Sequence, residues 1–357
     1  MTDMIALSKL RVHVLYDSSN GAQPHGCSMI RLLRPLAHPS IRESVTLSYS
    51  TKIPQHVVDV VIIERLWGHF YSTVELLDQL SLLRKRNIKI IYETDDDLLT
   101  AHGLVGDREW PTYHQKNILR LLAREADGII TSTFNLAKAL SPLNENTHVF
   151  ENALDESLFH RRANPAVRKK IKFGYMGTYT HLNDLIFASA AIKGVLHKFK
   201  NSVEFEIVGV GEEETISDIF GLACVTIKRV PEEDVPYEKF CAWMSENLNW
   251  DFGIAPLLQS TFSDSKSDIK FLDYSIIGIP GIYSNVPAYA KTVEHEVTGL
   301  LSDNKVESWS QSLERMITSQ HLRATLANGA YDHVHANKVL QHKAIDLLKI
   351  IRAVTDK

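Results

Sequence analysis

The chain has 357 residues, more than a single domain usually contains, so its length predicts two domains. Hydrophobic residues make up 44% and charged residues 23%, values that exclude a disordered or fibrous protein. With 39 Lys and Arg against 43 Asp and Glu, the formal charge is -4, which argues against a nucleic-acid partner.

The three cysteines, Cys27, Cys224 and Cys241, form neither a C-x-x-C pair nor an even framework, which favours buried thiols in a reducing compartment. The first residues show no basic segment followed by a long apolar core, and no stretch approaches 18 apolar residues. We therefore expect a cytoplasmic protein that can also make peripheral contact with the inner face of a membrane.

In the first half, short β-rich runs alternate with segments of helical period, which predicts a parallel sheet covered by helices. Strands are predicted at 11–16, 45–49, 57–63, 88–93, 128–132 and 148–152. Helices are predicted at 71–86, 113–126 and 135–140. A glycine-bearing loop, Asn20 to Arg31, follows the first strand and leads into a helix.

A polar and basic stretch, RRANPAVRKK at 161–170, predicts an interdomain linker. The alternation then repeats, with strands predicted at 172–177, 203–209, 224–230, 250–256 and 278–284 and helices at 183–200, 237–247 and 268–277. Three more helices are predicted at 304–318, 320–333 and 342–355. The predicted domains are residues 1–165 and 171–335, with a terminal helix in 336–357 that packs back toward the first.

The run YETDDDLL, from Glu93 to Leu99, places three carboxylates after a predicted strand. Three interpretations stay open: a divalent metal held by Asp95 and Asp97, an acidic helix start, and a contact with acceptor or substrate. We keep Asp96 as a catalytic candidate and, because an imidazole could polarise a phosphate, also His114. No H-E-x-x-H or comparable spacing occurs among the sixteen histidines, so we expect no zinc site and assign no residue as a metal ligand.

In open parallel sheets, ligands bind beyond the carboxyl ends of the strands, so the loops there are the places to search. The first such loop in the second half is FGYMGTYTHLND, residues 173–184. Gly177 allows close backbone approach to a ligand, while Thr178, Thr180 and His181 carry hydrogen-bond donors. An ordinary glycine turn with a helix cap is the alternative interpretation.

The second loop and helix lie in APLLQSTFSDSKSDIKFLDYSIIGIPGIYS, residues 255–284. Loop cations and hydroxyls near a helix start suit a diphosphate, and the candidates are Lys266, Ser267 and Lys270. Asp273, inside the helix, suits ribose hydroxyls. The alternative is a solvated helix start above core residues, which would leave Lys266 and Asp273 unexplained.

Together these segments resemble the donor-binding domain of the family 4 type of retaining glycosyltransferases, which have the GT-B fold. The resemblance covers Ile171 to about His333 and includes EIVGVG, the five-residue spacing of Asp273 and Gly278, and the TGLL run that begins at Thr298. The first half is similar more loosely, through ADGIITSTFNLAKAL and HVFENALDESLF. The implied fold is α/β: two Rossmann-like, doubly wound domains facing across a cleft, with C-terminal helices.

The resemblance implies a glycosyltransferase that moves a sugar from a nucleoside-diphosphate sugar to a hydroxyl acceptor, either a glycan, a lipid-linked molecule or another. It further implies retention, no required metal or other cofactor, and a place in polysaccharide or glycan assembly. Two alternatives stay open: a sugar-nucleotide epimerase or hydrolase on the same fold, and a non-catalytic partner subunit.

The family's two donor-contacting glutamates, eight positions apart, fall on Ser265 and Asp273 here. Since Ser265 departs from the pattern, the sugar-contacting role stays open among Asp264, Ser265 and Lys266. The family's basic pair is not obvious, and Lys266 and Arg229 are the candidates to neutralise the diphosphate. By the same resemblance, the loop containing Gly21 contacts acceptor or donor.

Overall fold

The computed structural model describes residues 9–17, 23–105, 108–162, 169–221 and 225–356. They form two compact units. The first unit contains the described residues up to Asp155, together with Ser265–Ser267 and those from Val339 onward; the second contains those of Glu156–Asp264 and Asp268–Lys338. The sequence-based boundaries assign residues 265–267 to the second domain, whereas in the structure these three residues group with the first unit.

The first unit is built on a six-stranded sheet in which every neighbouring pair is parallel. Its strands are β1 (Leu10–Leu15), β2 (Val45–Ser50), β3 (Val60–Glu64), β4 (Lys89–Thr94), β7 (Gly128–Thr131) and β8 (Thr147–Val149). Their spatial order is β2-β1-β3-β4-β7-β8. A separate antiparallel hairpin joins β5 (Leu104–Val105) and β6 (Arg108–Glu109) and was not predicted from the sequence.

Helices cover both faces of this sheet. They are α1 (Gly26–Ser28), α2 (Arg34–Ala37), α3 (Thr73–Lys85), α4 (Tyr113–Glu125), α5 (Phe134–Leu140) and, from the end of the chain, α13 (Leu340–Thr355), with a π-helical turn at Met29–Leu33 joining α1 to α2. Capping boxes start α3, at Ser72 and Glu75, and α4, at Thr112 and Gln115. These pairs satisfy backbone N–H groups that the first helical turn leaves without partners.

Side chains that point alternately to the two faces of the sheet along the central strand β3 explain why helices cover both faces. Val60 and Ile62 belong to an apolar cluster that includes residues of α2 and α13. Val61 and Ile63 belong to another cluster, with residues of α3, α4 and α5. Because successive strand side chains point to opposite faces, an all-apolar strand must be covered on both sides.

The second unit has its own six-stranded parallel sheet, ordered β11-β10-β9-β12-β13-β14. Its strands are β9 (Ile171–Met176), β10 (Val203–Val208), β11 (Val225–Lys228), β12 (Phe252–Ala255), β13 (Gly281–Ser284) and β14 (Leu300–Ser302). Its helices are α6 (Leu182–Phe199), α7 (Glu213–Phe220), α8 (Tyr237–Asn247), α9 (Ile269–Ile276), α10 (Pro287–Ala290), α11 (Val306–Thr318) and α12 (Gln320–Asn337).

Aromatic residues fill both faces of the second sheet. On one face Phe173 stacks between Phe205 and Phe252, with ring centroids 4.8 and 5.1 Å away, in a core completed by α6 and α11. Against the backbone of Gly174 lies the buried ring of Trp250, which also packs edge-on against Tyr274. A side chain at Gly174 would occupy the space that this indole ring fills.

Several sequence-based expectations need correction. The acidic run after β4 does not start a helix; it passes through bends into a turn that Asp97 stabilises by accepting from Thr100 N at 3.3 Å. Helix α7 and strand β14 were not predicted. The helix predicted at 320–333 continues to Asn337 as α12, so that His335 also lies inside it.

Of the three cysteines predicted to be buried, Cys241 is buried and Cys27 is half-buried. Cys224, Gly21 and the middle of the predicted linker lie outside the described residues. No helix within the described part of the chain combines the length and the apolar character needed to cross a membrane.

We predict that Gly174→Ala destabilises the second unit, because the new Cβ would lie 1.9 Å from Trp250 Cε2 in a close-packed core. The expected cost is about 1–3 kcal/mol or more, measured by chemical denaturation. Gly194→Ala is the control: Gly194 is an exposed position within α6, its new Cβ would meet no atom within 4 Å, and a gain of about 0.5–1 kcal/mol is expected. Unchanged stability in Gly174→Ala would contradict the described packing.

Candidate functional site

In the second unit, β9 and β12 are neighbours at the point where the strand order reverses. The chain leaves β9 toward β10 on one side, and β12 continues toward β13 on the other. Loops that diverge in this way leave a crevice at the carboxyl ends of the strands, where ligands of open α/β sheets bind. The two segments singled out from the sequence, 173–184 and 255–284, follow these two strands.

Asp184 joins these two loops. Its carboxylate is nearly buried, with Oδ1 accepting from Leu258 N at 2.8 Å and Oδ2 lying 2.9 Å from His181 Nδ1. Since an ionised carboxylate can only accept, Nδ1 of His181 carries the hydrogen. The structure therefore brings His181 to the start of α6 beside the loop after β12.

The glycine loop itself lies close to the loop after β10. Gly209 has φ of +79°, and a Cβ built there would stand 2.7 Å from Gly177 O. Beneath Gly177, the hydroxyl of Tyr175 would be 3.0 Å from a Cβ at that position. Thr178 and Thr180 are exposed and their hydroxyls are 2.8 Å apart. Glycine at 209 thus lets the backbone of one loop approach the backbone of the other closely, in a space that a side chain would fill.

Helix α9 carries two of the predicted donor contacts. Burial raises the pKa of the Asp273 carboxyl to about 7, an effect that the nearby Lys270 ammonium partly offsets. Lys270 Nζ lies 5.8 Å from the ring centroid of Tyr175, the residue beneath Gly177. Arg229 is exposed, one residue beyond the edge strand β11.

A buried ion pair that sequence reasoning missed fixes the start of α9. Lys338 Nζ lies 3.4 Å from Asp268 Oδ2, which also accepts from Thr292 Oγ1 at 2.8 Å. Desolvation and the Lys338 charge lower the pKa of His333. Thr292 and Lys338 lie 24 and 70 residues from Asp268 along the chain, so no local pattern could have indicated these contacts. The pair orients the helix that carries Lys270 and Asp273.

In the first unit, the structure brings together two residues predicted to be catalytic. Lys266 Nζ lies 3.6 Å from Asp96 Oδ1. Arg65 approaches the same acidic run, with its guanidinium nitrogens 3.2 Å from Asp95 and 3.8 Å from Asp96. Burial acts to raise the pKa of Asp95, but the Arg65 charge holds it below its usual value. Asp95 therefore lies beside the Arg65 cation, and Asp96 lies beside both Arg65 and Lys266.

Ser265 and Ser267 also make their contacts within the first unit. Thr133 Oγ1 donates to Ser265 O at 2.9 Å, and Asn152 Nδ2 donates to Ser267 Oγ at 2.8 Å. Asp264, which belongs to the second unit, is half-buried in the short turn Ser263–Ser265. The three candidates for the sugar-contacting role therefore divide between the units.

His114 is exposed in the first turn of α4, where its Nε2 lies 3.0 Å from Tyr71 O. It makes no hydrogen bond with the acidic run in the part of the chain that the structure describes. The role of His114 in polarising a phosphate stays a prediction.

Two fully buried glutamates at the ends of β3 and β4 were also missed. Glu64 and Glu93 are register partners. Glu64 Oε2 accepts from Asp17 N at 3.0 Å and from Ser28 Oγ at 2.6 Å. Burial raises the pKa of Glu64 to about 8, and the neighbouring carboxyl of Glu93 adds to the shift. A glutamate at the end of one apolar strand, VVIIE, and next to the end of another, KIIYET, was the available signal.

Arg31 balances the charge of Glu93. Its Nε donates to Glu93 Oε1 at 2.8 Å and its Nη1 to Asn152 Oδ1 at 2.9 Å. Burial nevertheless raises the pKa of Glu93 to about 7, against the lowering effect of Arg31. Because Asn152 also bonds to Ser267, a continuous chain of polar contacts runs from Glu93 to the 265–267 segment.

No protein-family model matches the sequence, and a search of curated protein sequences found no match. Solved structures are similar in fold. A TarM variant from S. aureus, in complex with fondaparinux, α-GlcNAc-glycerol and UDP, has a TM-score of 0.59 and 12% identity over 84% of this chain. The chain spans 55% of that protein's length.

Two further structures match along nearly their whole length. HepE from Anabaena, in complex with UDP and glucose, has a TM-score of 0.66 and 11% identity, covering 97% of this chain and 100% of that one. A glycosyltransferase from Rickettsia africae has a TM-score of 0.63 and 12% identity, covering 97% and 99%. The fold class expected from the sequence is thereby confirmed: two α/β units with parallel six-stranded sheets, matching GT-B glycosyltransferases.

We predict that the buried Glu64 makes the protein less stable as pH rises from about 5 to 8. Its folded-state pKa is raised to about 8 from an ordinary value of 4.5, so over this range the folded form retains a proton that the unfolded form has released. Glu64→Gln removes this titration. Relative to that variant, the wild type should lose on the order of a few kcal/mol by pH 8.

Thermal unfolding at pH 5, 6, 7 and 8 measures this difference. Glu43→Gln, at an exposed position, is the matched control and should follow the wild type throughout. If the melting temperatures of the wild type and Glu64→Gln differ by the same amount at every pH, Glu64 does not titrate as described.

Proposed function

We propose that this protein is a glycosyltransferase whose second unit binds a nucleoside-diphosphate sugar. The observation that carries the proposal is the joining of two sequence-predicted donor segments at the reversal point of the second sheet, through the carboxylate of Asp184. Similarity to glycosyltransferase structures, among them complexes with UDP, supports it at the level of the fold. An open α/β sheet needs such a crevice to hold a nucleotide.

In the proposed complex, amides near Gly177 and the hydroxyls of Thr178 and Thr180 bind the diphosphate, assisted by His181 and Lys270. Backbone N–H groups beside a helix start favour a phosphate, and a lysine adds a compact charge. Asp273 accepts from the ribose hydroxyls. The exposed Arg229 is a further candidate to neutralise the phosphates.

For the transfer step, we keep Lys266 and Asp96 as catalytic candidates; their side chains lie 3.6 Å apart within the first unit. Departure of a nucleoside diphosphate builds negative charge that a cation stabilises, and a carboxylate can orient or deprotonate an acceptor hydroxyl. The acceptor is a hydroxyl of a glycan, a lipid-linked molecule or another compound. We further propose that transfer retains the anomeric configuration of the sugar and requires no metal. The product would serve polysaccharide or glycan assembly.

One observation favours a second candidate function, a non-catalytic partner subunit of the same fold. The position on which the first family glutamate falls is Ser265, which is 4% exposed and neutral. Such a subunit would bind a nucleotide sugar without turning it over. An assay of sugar transfer therefore separates the two candidates.

We predict that Lys266→Ala and Asp273→Ala reduce turnover with UDP-glucose and a panel of hydroxyl acceptors. Loss of a cation that stabilises the leaving group should lower kcat by about 10²–10³, and loss of the ribose acceptor should act mainly on KM. The matched controls are Lys193→Ala and Asp218→Ala, at exposed positions on α6 and α7, which should retain wild-type rates. Wild-type activity in both site variants would defeat the assignment.

We also predict that transfer retains the anomeric configuration of the donor and continues in the presence of EDTA. Proton NMR of the first-formed product reports its configuration, because axial and equatorial anomeric protons differ in coupling constant. Inversion would contradict the implied mechanism, and loss of activity on chelation, restored by Mn²⁺ or Mg²⁺, would reopen the metal interpretation of Asp95 and Asp97.

A further inference from the structure

We infer that Asp184 is a positioning residue for the donor diphosphate and acts through the charge of His181. The inference rests on the proposed function and goes beyond it by naming the side chain that prepares the second unit for an anion. Asp184 is 8% exposed, so its contacts with His181 Nδ1 and Leu258 N form in a partly dehydrated environment. Electrostatic contacts are stronger there than in water.

The pair of Asp184 and His181, here called the dyad, holds the imidazole ring in a fixed orientation. A second proton on Nε2 would create a cation directly beside the carboxylate. A carboxylate bonded to one ring nitrogen stabilises the imidazolium form, and an arriving diphosphate stabilises it further. His181 directly precedes α6, an 18-residue helix whose first turn also favours negative charge. An anion bound near Gly177 would therefore meet both a side-chain cation and the start of a long helix.

An independent observation indicates a ligand at the same place. The hydroxyl of Tyr175 is fully buried and, in the described part of the chain, lacks a hydrogen-bond partner. Burial raises its pKa, so the hydroxyl keeps its hydrogen. It lies beneath Gly177, 3.0 Å from where a Cβ would be. Buried hydroxyls are rarely left without an acceptor, and a phosphate oxygen or its hydration water at Gly177 would supply one.

The groups that face the carboxylate from other elements do not replace His181. Tyr175 of β9 and Tyr289 of α10 both interact with Asp184, and burial raises the pKa of each hydroxyl, which leaves them neutral. Asp184 therefore pairs with the ring of His181, while the two tyrosines beside it add no charge.

Asp184→Asn separates the charge of the dyad from its geometry. An asparagine can still accept from Leu258 N and can donate to His181 Nδ1, so the loops remain joined while the negative charge is lost. We expect this variant and His181→Gln each to weaken UDP binding about tenfold or more in calorimetric titrations. The double variant should bind little more weakly than either single one, because both changes remove the same charge interaction.

NMR of ¹⁵N-histidine-labelled protein reports the protonation state of His181. Damage to the loops alone would not produce the imidazolium signal. The His181 signals are assigned by their absence in His181→Gln. On addition of UDP to the wild type they should move to the imidazolium pattern, and in Asp184→Asn they should stay neutral. Asp218→Asn and His197→Gln, at exposed positions on α7 and α6, are the matched controls and should bind UDP like the wild type.

Wild-type UDP affinity in both Asp184→Asn and His181→Gln would overturn the dyad and leave the proposed function standing. Additive losses in the double variant, or a His181 that stays neutral with UDP bound to the wild type, would also overturn the dyad. If the wild type binds none of UDP, ADP or GDP, both the dyad and the proposed function fail.

Discussion

The loops that follow β9 and β12 begin on neighbouring strands and run in opposite directions, and a single buried carboxylate keeps them together. Without Asp184, the amide of Leu258 and the ring of His181 would each lose an acceptor in a partly dehydrated place. The cost of leaving such groups unpaired makes this bridge part of the fold as well as of the site. The geometry of the proposed nucleotide crevice follows from that constraint.

The first unit depends on charges that are buried rather than solvated. Glu93 and Arg31 form an ion pair almost completely inside it, and removing one partner of a buried pair leaves an uncompensated charge. Arg65, with φ of +42°, adopts a backbone conformation that residues other than glycine rarely populate. Strained and charged groups of this kind often occur at functional sites, and here Arg65 approaches Asp96, the partner of Lys266.

Periodicity alone was enough to predict the parallel sheets, because apolar runs such as VVIIE and KIIYET cannot form half-exposed strands. The loops that carry Gly177 and His181 were also predicted, since ligands bind after strands. Short elements such as the β5–β6 hairpin were missed because a few residues carry too little pattern. The Asp268 and Lys338 pair depends on contacts between residues 70 positions apart, which no local signal contains.

The 265–267 segment shows a different limit of prediction from sequence. Its position along the chain assigns Ser265, Lys266 and Ser267 to the second domain, yet their hydrogen bonds and ion pair are with Thr133, Asn152 and Asp96. Chain order therefore gives the wrong surroundings for these three residues. Similarity in fold to glycosyltransferases could not have corrected this, because it concerns the backbone rather than the contacts of particular side chains.

Hydrogen–deuterium exchange in the presence and absence of UDP would locate bound nucleotide by the amides that it protects. If the second unit binds the nucleotide, exchange should slow on UDP binding at residues 177–181 and around Leu258, with the amides of β2 and β8 in the first unit unaffected. Protection confined to other parts of the chain, or none at saturating UDP, ADP and GDP, would contradict nucleotide binding by the second unit.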